Sequence, residues 1–310
     1  MDPPERHSPA GGLTAVYAEE QFKAASWLSL DVGFRQTHFS GSVVENATSP
    51  RVGASLRIPK LNWVFRAFYG HFYQAPPLLT VSGPLLQAAS NQALSFIPLH
   101  GERDEEHQFG ATIPFRGWTL DASNFLTRAE NFFDHNNFNN SDLFFPVTIQ
   151  GARINGWELT LRSPRIRNRA QVYLTYSNQL ALSLGCITGG LVAPCSTPPP
   201  GLGFLDHDQR NTLHFGARYD LPFRSYISTD VYYASGFTNG SQLIPGTHLQ
   251  PHSTFDLSLG KSFGERFSLN VQALNIANRR VLLDNSFTFG GTHYLNPREL
   301  YVQVRYRFHL

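Results

Sequence analysis

The sequence has no stretch of about 20 apolar residues, the length that a membrane-spanning helix needs. Its most apolar region, residues 75–99, is interrupted by four prolines and an asparagine. Charged residues make up only 15% of the 310 residues, and 25 basic and 23 acidic side chains nearly cancel. These shortages exclude a helical membrane bundle and a nucleic-acid binder that relies on excess positive charge.

The start of the sequence lacks the basic segment and apolar segment of a signal peptide. We therefore expect either a cytoplasmic protein or a sequence whose true start lies upstream. There are only two cysteines, Cys186 and Cys195, in a stretch rich in glycine and proline. They are either incidental or joined in a local disulfide, if the compartment is oxidising. The stretch offers too few other ligands to predict a metal site.

Aromatic residues are abundant, at 13% of the chain, with 25 Phe and 12 Tyr. Apolar and polar residues alternate with period two along most of the sequence, as in the last segment, where Leu300, Val302, Val304, Tyr306 and Phe308 alternate with polar and charged residues. We count about thirteen such strands, most of roughly ten to twelve residues. Strands of globular proteins usually have about five or six residues, whereas a tilted membrane-spanning strand needs about nine to eleven.

Short and long connections between these strands alternate along the chain. The predicted long connections are residues 38–49, 74–103, 130–149, 181–209, 236–252 and 279–297. Outer-membrane barrels have this asymmetry, with short periplasmic turns and long extracellular loops. A soluble sandwich has no reason to maintain it, and no blade repeat supports a propeller. The predicted fold is therefore all-β, an antiparallel transmembrane barrel wall with one face toward lipid and the other toward a polar lumen.

Several segments, in a consistent order along the chain, resemble those of TonB-dependent outer-membrane receptors. They are AVYAEEQFK (15–23), WLSLDVGFR (27–35), YGHFYQAPP (69–77), ERDEEHQFG (102–110), GARINGWE (151–158), LDHDQRNTL (205–213) and a last hairpin running from LNVQALNIAN (269–278) to residues 306–308. The resemblance implies that residues 1–310 form the C-terminal portion of a 22-stranded barrel, without the plug domain and the first strands. On this interpretation the chain is a fragment whose barrel is open.

The resemblance also implies active uptake of a scarce ligand: an iron–siderophore complex, a cobalamin-like compound or an oligosaccharide. It implies residence in the outer membrane of a Gram-negative bacterium, contact with its lipid, and contact with the TonB complex only through the absent plug. No cofactor, covalent chemistry or nucleic-acid partner is expected. The alternative is a complete, smaller porin-like channel for passive diffusion. A barrel hydrolase would need a convergent Ser/His or Asp/His set at one rim, which the sequence does not provide.

An aromatic group in the predicted connection 130–149 gives the candidate ligand site. Its members are Phe132, Phe133, His135, Phe138, Phe144 and Phe145, with asparagines between them. Stacking rings and amide groups suit an aromatic chelate or a sugar, and packing of the loop on itself is the equal alternative.

Two other clusters are interpreted as structural. The run from His100 to His107 is the densest set of ligand-type side chains, with Glu102, Asp104 and Glu106 on one face of a strand. We favour a solvated strand start whose charges pair with lumen arginines over a metal site. In Asp206, His207 and Asp208, neighbouring strand residues point to opposite faces, so they do not converge as a catalytic triad does.

Overall fold

A computed structural model describes residues 11–78, 95–137, 144–192, 195, 201–205, 208–238, 248–285 and 291–308. Phe138, Asp206 and His207 lie outside these ranges. Among the described residues, no helix is long and apolar enough to cross a bilayer.

The regular structure of the described residues consists of β-strands. They are β1 (Gly12–Ala25), β2 (Leu28–Ser40), β3 (Val44–Ile58), β4 (Trp63–Gln74), β5 (Ser95–Ile97), β6 (Glu102–Phe115), β7 (Trp118–Asn137), β8 (Phe144–Arg162), β9 (Ala170–Val192), β10 (Leu202–Phe204), β11 (Asn211–Leu221), β12 (Ser225–Ala234), β13 (His252–Phe263), β14 (Phe267–Leu274), β15 (Leu282–Asp284), β16 (His293–Tyr294) and β17 (Glu299–Tyr306).

Thirteen of the strands form one continuous antiparallel path in chain order, β1-β2-β3-β4-β6-β7-β8-β9-β11-β12-β13-β14-β17, and the short strands β5 and β10 pair with β9 beside this path. Each strand runs in the opposite direction to the one before it. The first, third and all other odd-numbered connections along this path therefore lie at one end of the sheet, and the even-numbered connections lie at the other. The first end carries the short turns and is here called the turn end; the other is the loop end. The predicted placement of the long connections at a single rim is thus confirmed.

The turn between β6 and β7 shows why this end stays compact. Arg116 and Gly117 both have positive φ, at 50° and 83°. Positive φ at both central residues defines the type I′ turn, whose twist matches that of the two strands it joins. A hairpin can therefore close with two residues only.

The two faces of the sheet differ in chemistry, as the alternation predicts. On the apolar face, Leu259 of β13 lies between Ile227 and Val271, and Val271 lies beside Val302 of β17. Leu259 is 48% exposed and Val302 63% exposed. The predicted register of the last strand is confirmed, because Leu300, Val304 and Tyr306 share this face with Val302.

The polar face carries charged side chains that pair across strands. Arg66 of β4 contacts Asp121 of β7 at 3.0 Å, and Thr112 between them donates to the same carboxylate at 2.5 Å. Tyr173 covers Gly216, where a Cβ atom would lie 2.1 Å from its ring, and donates to Asp230. Exchanging such residues with the apolar face would require a register slip of one residue, which would reverse every side chain.

Three predicted long connections are shorter than the sequence indicated. β2 and β3 extend through most of 38–49, β7 and β8 through most of 130–149, and β9 through much of 181–209. The prediction is wrong there because it ended strands where the apolar alternation fades. Cross-strand hydrogen bonding continues beyond that point, where the side chains no longer follow the alternation of the wall.

The sheet does not close into a barrel. Within the described residues β1 pairs with β2 alone and β17 with β14 alone, so both have a free edge. The thirteen-stranded antiparallel wall and its open form are as the sequence predicted.

Candidate ligand-binding site

The loop-end parts of β7, β8 and β9 extend past the apolar band of the sheet. On the apolar face, a row of polar residues lies opposite one another on four neighbouring strands, at His71, Glu105, Arg128 and Arg153. Gln36 and Thr48 form a polar pair on the same face of β2 and β3. Thr48 donates to Gln36 at 2.5 Å, and Arg128 lies 4.0 Å from Glu105. Residues beyond this row therefore form a separate extension.

The extension has its own apolar core. Phe145, Val147, Leu191 and Val192 form one buried cluster against the short strand β5. Ala129, Ile149, Ala152, Ala181 and Leu205 form a second, with Phe132 packed on it. These contacts stabilise the extension and position the candidate aromatic residues.

Three of the predicted aromatic residues meet around one cavity. Phe132, Phe133 and His135 line a shallow pocket of about 340 Å³ together with Asp134 and Leu205. Within β7, the backbone N–H of His135 donates to Asp134 Oδ1 at 2.8 Å. Because successive strand residues alternate, Phe133 and His135 lie on one face of β7, whereas Phe132 and Asp134 lie on the other. The cavity has the size that small molecules occupy.

The other predicted site residues separate into different roles. Phe144 contacts the His135 ring edge-to-face, with 5.3 Å between centroids, and is 46% exposed, so it lies beside the pocket. Phe145 is 5% exposed in the first core cluster. Phe145 is not part of the candidate site. Adjacent strand residues point to opposite faces, so Phe145 lies on the other face of β8 from Phe144.

Glu102, which the sequence analysis interpreted as a solvated charge, is buried beside the pocket and contacts its backbone. Glu102 is 9% exposed and accepts a hydrogen bond from the backbone N–H of Phe133 at 2.6 Å. Burial raises the pKa of Glu102 to about 7, the Phe133 N–H opposes this rise, and Asp104 adds to it. Burial also raises the pKa of Asp104. The shared face of Glu102, Asp104 and Glu106 was predicted, but the contact with β7 was not.

The Glu102→Gln variant is expected to resist unfolding better than the wild type at pH 8. A raised folded-state pKa means that the folded chain retains a proton that the unfolded chain loses, so stability falls as pH rises from about 4.5 to 7. A neutral amide should remove most of this fall, of the order of 2 kcal/mol. Urea midpoints in detergent micelles at pH 5 and pH 8 measure it.

Glu105→Gln is the matched control, because the Glu105 side chain lies on the opposite face and its hydrogen bond with His107 lowers its pKa. It should leave the decline between pH 5 and pH 8 in place. An equally steep decline in Glu102→Gln would show that Glu102 does not carry the effect.

The remaining predicted clusters are structural connections. Glu45 Oε1 contacts His100 at 2.8 Å, and Glu45 Oε2 accepts from Tyr73 at 2.8 Å, so these groups tie residues 98–103 to β3. Asp208 is 1% exposed and accepts from the Ala181 N–H at 2.7 Å, which ties residues after β10 to β9. Within the described ranges, no group of three or more His, Cys, Asp or Glu is placed to hold a metal ion.

The cysteines lie at the same end of the sheet. Cys186 of β9 and Cys195 are joined by a disulfide, with their Cα atoms 6.0 Å apart. The bond attaches residue 195 to the extension and lies outside the aromatic pocket.

A thirteen-stranded meander with one apolar and one polar face and long loops at one end is the architecture of an outer-membrane barrel wall. A family model described as TonB dependent receptor-like, beta-barrel matches residues 5–276. The chain belongs to this family. No curated protein sequence matches it.

Solved structures of TonB-dependent receptors share the fold of the chain. The ferric-catecholate import receptor Fiu from E. coli K12 has a TM-score of 0.65 at 14% identity, over 96% of this chain and 44% of Fiu. The FrpB iron transporter from Neisseria meningitidis has a TM-score of 0.71 at 13% identity, over 98% and 47%. The ferripyoverdine receptor of the outer membrane of Pseudomonas aeruginosa has a TM-score of 0.65 at 13% identity, over 95% and 38%.

The chain thus spans less than half the length of these receptors. These neighbours are receptors and transporters, which fits a protein without enzymatic activity. At such low identity they establish the shared architecture, while ligand and partners have to be argued from the residues of this chain.

Proposed function

We propose that the chain forms part of the wall of a TonB-dependent receptor that takes up a scarce ligand across the outer membrane of a Gram-negative bacterium. The match of the family model to residues 5–276 carries this proposal. In this proposal, lipid surrounds the apolar face and the polar face lines the lumen. Coupling to the TonB complex would involve the plug region of such receptors and not the wall strands.

An iron chelate is the ligand class that we favour over a cobalamin-like compound or an oligosaccharide. Fiu is named as a ferric-catecholate importer and a structural neighbour as a ferripyoverdine receptor. The pocket of Phe132, Phe133 and His135 lies at the loop end, where ligand would arrive from outside. Aromatic rings there would stack on the planar groups of an aromatic chelate.

Uptake of a radiolabelled ferric chelate by the source bacterium tests the proposal. Deleting the gene should reduce accumulation of the cognate chelate at least tenfold, and a protonophore should do the same in the wild type, because TonB-driven import needs energy. Uptake that continues with the protonophore but requires the gene would contradict active import and favour the porin-like channel.

Replacing His135 with alanine in the gene should weaken binding of the cognate chelate to cells about tenfold, since aromatic contacts contribute about 1 kcal/mol each and His135 also orders Phe144. Phe115→Ala is the control, because Phe115 is 65% exposed but lies at the turn end. Equal binding by both variants would remove the aromatic pocket from the proposal and leave the import function intact.

A further inference from the structure

Four arginines surround one cavity at the turn end of the sheet, far from the aromatic pocket. The cavity has a volume of about 530 Å³, and its charged lining consists of Arg224, Arg266, Arg305, Arg307 and Glu265. Ser262 and Ser268 add hydroxyl groups. Glu265 is the one carboxylate among the lining residues that the structure describes.

Backbone pairing fixes the positions of these residues. The Ser262 N–H donates to the Arg224 carbonyl at 2.9 Å, and the Arg307 N–H donates to the Arg266 carbonyl at 2.8 Å. Arg305 lies opposite Ser268 on the polar face. The arginines therefore form a row at the ends of β12, β14 and β17, with two of them on β17, and β13 contributes Ser262 between Arg224 and the others. Their arrangement follows from the sheet itself.

The positive charge of this row is not neutralised within the described part of the chain. None of the four guanidinium groups forms an ion pair with a residue that the structure describes, whereas Arg51, Arg66, Arg165 and Arg218 each have a carboxylate partner. Glu265 offsets at most one of the four charges. Like charges held in one cavity repel, so an anionic partner would stabilise it.

The distance that the four arginines span determines which anions can contact all of them. Neighbouring strands are about 4.8 Å apart, so four strand ends span roughly 14 Å. One phosphate or carboxylate group is too small to reach all four guanidinium forks. An extended polypeptide places every second side chain on the same side, about 6.6 Å apart. Two or three carboxylates of such a segment match the row.

The orientation of the row argues against a lipid headgroup. Arg305 points to the polar face, whereas lipid would contact the face of Val304 and Tyr306. We propose that this cavity, called here the arginine cleft (Arg224, Arg266, Arg305 and Arg307), binds an acidic, extended polypeptide segment at the turn end of the wall.

Binding of a fluorescein-labelled decapeptide of alternating Glu and Ser to the full chain refolded in detergent micelles tests this proposal. The double variant Arg266→Gln with Arg305→Gln should weaken binding at least tenfold at constant ionic strength. The double variant Arg116→Gln with Arg167→Gln removes the same charge from other turns at the same end and should weaken it less than threefold. Circular dichroism checks that each variant retains its β-structure.

The pair Arg266→Lys with Arg305→Lys retains the charge and should give an intermediate loss, because lysine lacks the guanidinium fork. If the glutamine pair fails to fold, peptide binding by this lysine pair still tests the proposal. Equal weakening in the two glutamine pairs would show general charge attraction and overturn the proposal. So would inorganic phosphate binding as tightly as the peptide, or binding to anionic phospholipid vesicles without binding to the peptide.

Discussion

The 310-residue chain, purified and added to planar lipid bilayers, is expected to give no stable single-channel conductance. Its sheet ends in two free edges, fourteen residues long on β1 and eight on β17. In hydrocarbon every unpaired backbone N–H and C=O group costs several kcal/mol. About eight such groups along β17 alone would cost tens of kcal/mol, which no other contact of an open sheet offsets.

Joining the two edges is the only way for the chain to avoid this cost by itself. Closure requires a register in which strand number, shear and tilt are consistent. β1 carries Glu19, Glu20 and Lys23 toward its turn end, and charges of this kind protect an edge against pairing. Stable conductance with a fixed unit size would mean that the edges do pair, and the porin-like channel would become the better account.

Hydrogen exchange in detergent micelles gives an independent measurement of the open edge. The β17 amides that do not bond to β14 should exchange within minutes, while those within the β12–β13 pair should be protected for hours. Protection throughout β17 would contradict a free edge.

The second large effect is expected at the centre of the apolar face. Leu259→Arg should strongly reduce folding in detergent micelles, because a charge on the apolar face must enter hydrocarbon, at a cost of about 2–4 kcal/mol near a bilayer midplane. Leu259 lies between Ile227 and Val271, so the whole row around it is apolar. The β-sheet signal in far-UV circular dichroism measures the folded fraction.

Ser258→Arg is the matched control, one residue away in the same strand. Ser258 lies on the polar face between Ser228 and Gln272, where an arginine meets polar neighbours. It should fold within a factor of two of the wild type. If Ser258→Arg were the more damaging variant, the two faces would be assigned the wrong way round.

Local chemistry made the wall predictable from the sequence. Period-two alternation in segments such as 255–259 and 300–306 fixes which side chains share a face, because strand geometry turns successive residues to opposite sides. Short turns such as Arg116-Gly117 fix which strands are neighbours. From these features came the thirteen-strand meander, its two faces and the common rim of the long connections. The open form came from the resemblance to the 22-stranded barrels of TonB-dependent receptors.

Tertiary structure decided what depends on residues far apart in sequence. The sequence placed Phe145 beside Phe144 in one loop, and only the packing of Phe145 with Leu191 separates them. The sequence predicts a solvated Glu102, whereas in the structure its carboxylate accepts a hydrogen bond from the Phe133 N–H. The arginine cleft joins arginines from the ends of three strands, β12, β14 and β17. Alternation specifies a side chain's face but not its partners, since these depend on the cross-strand register and on where extended strands end.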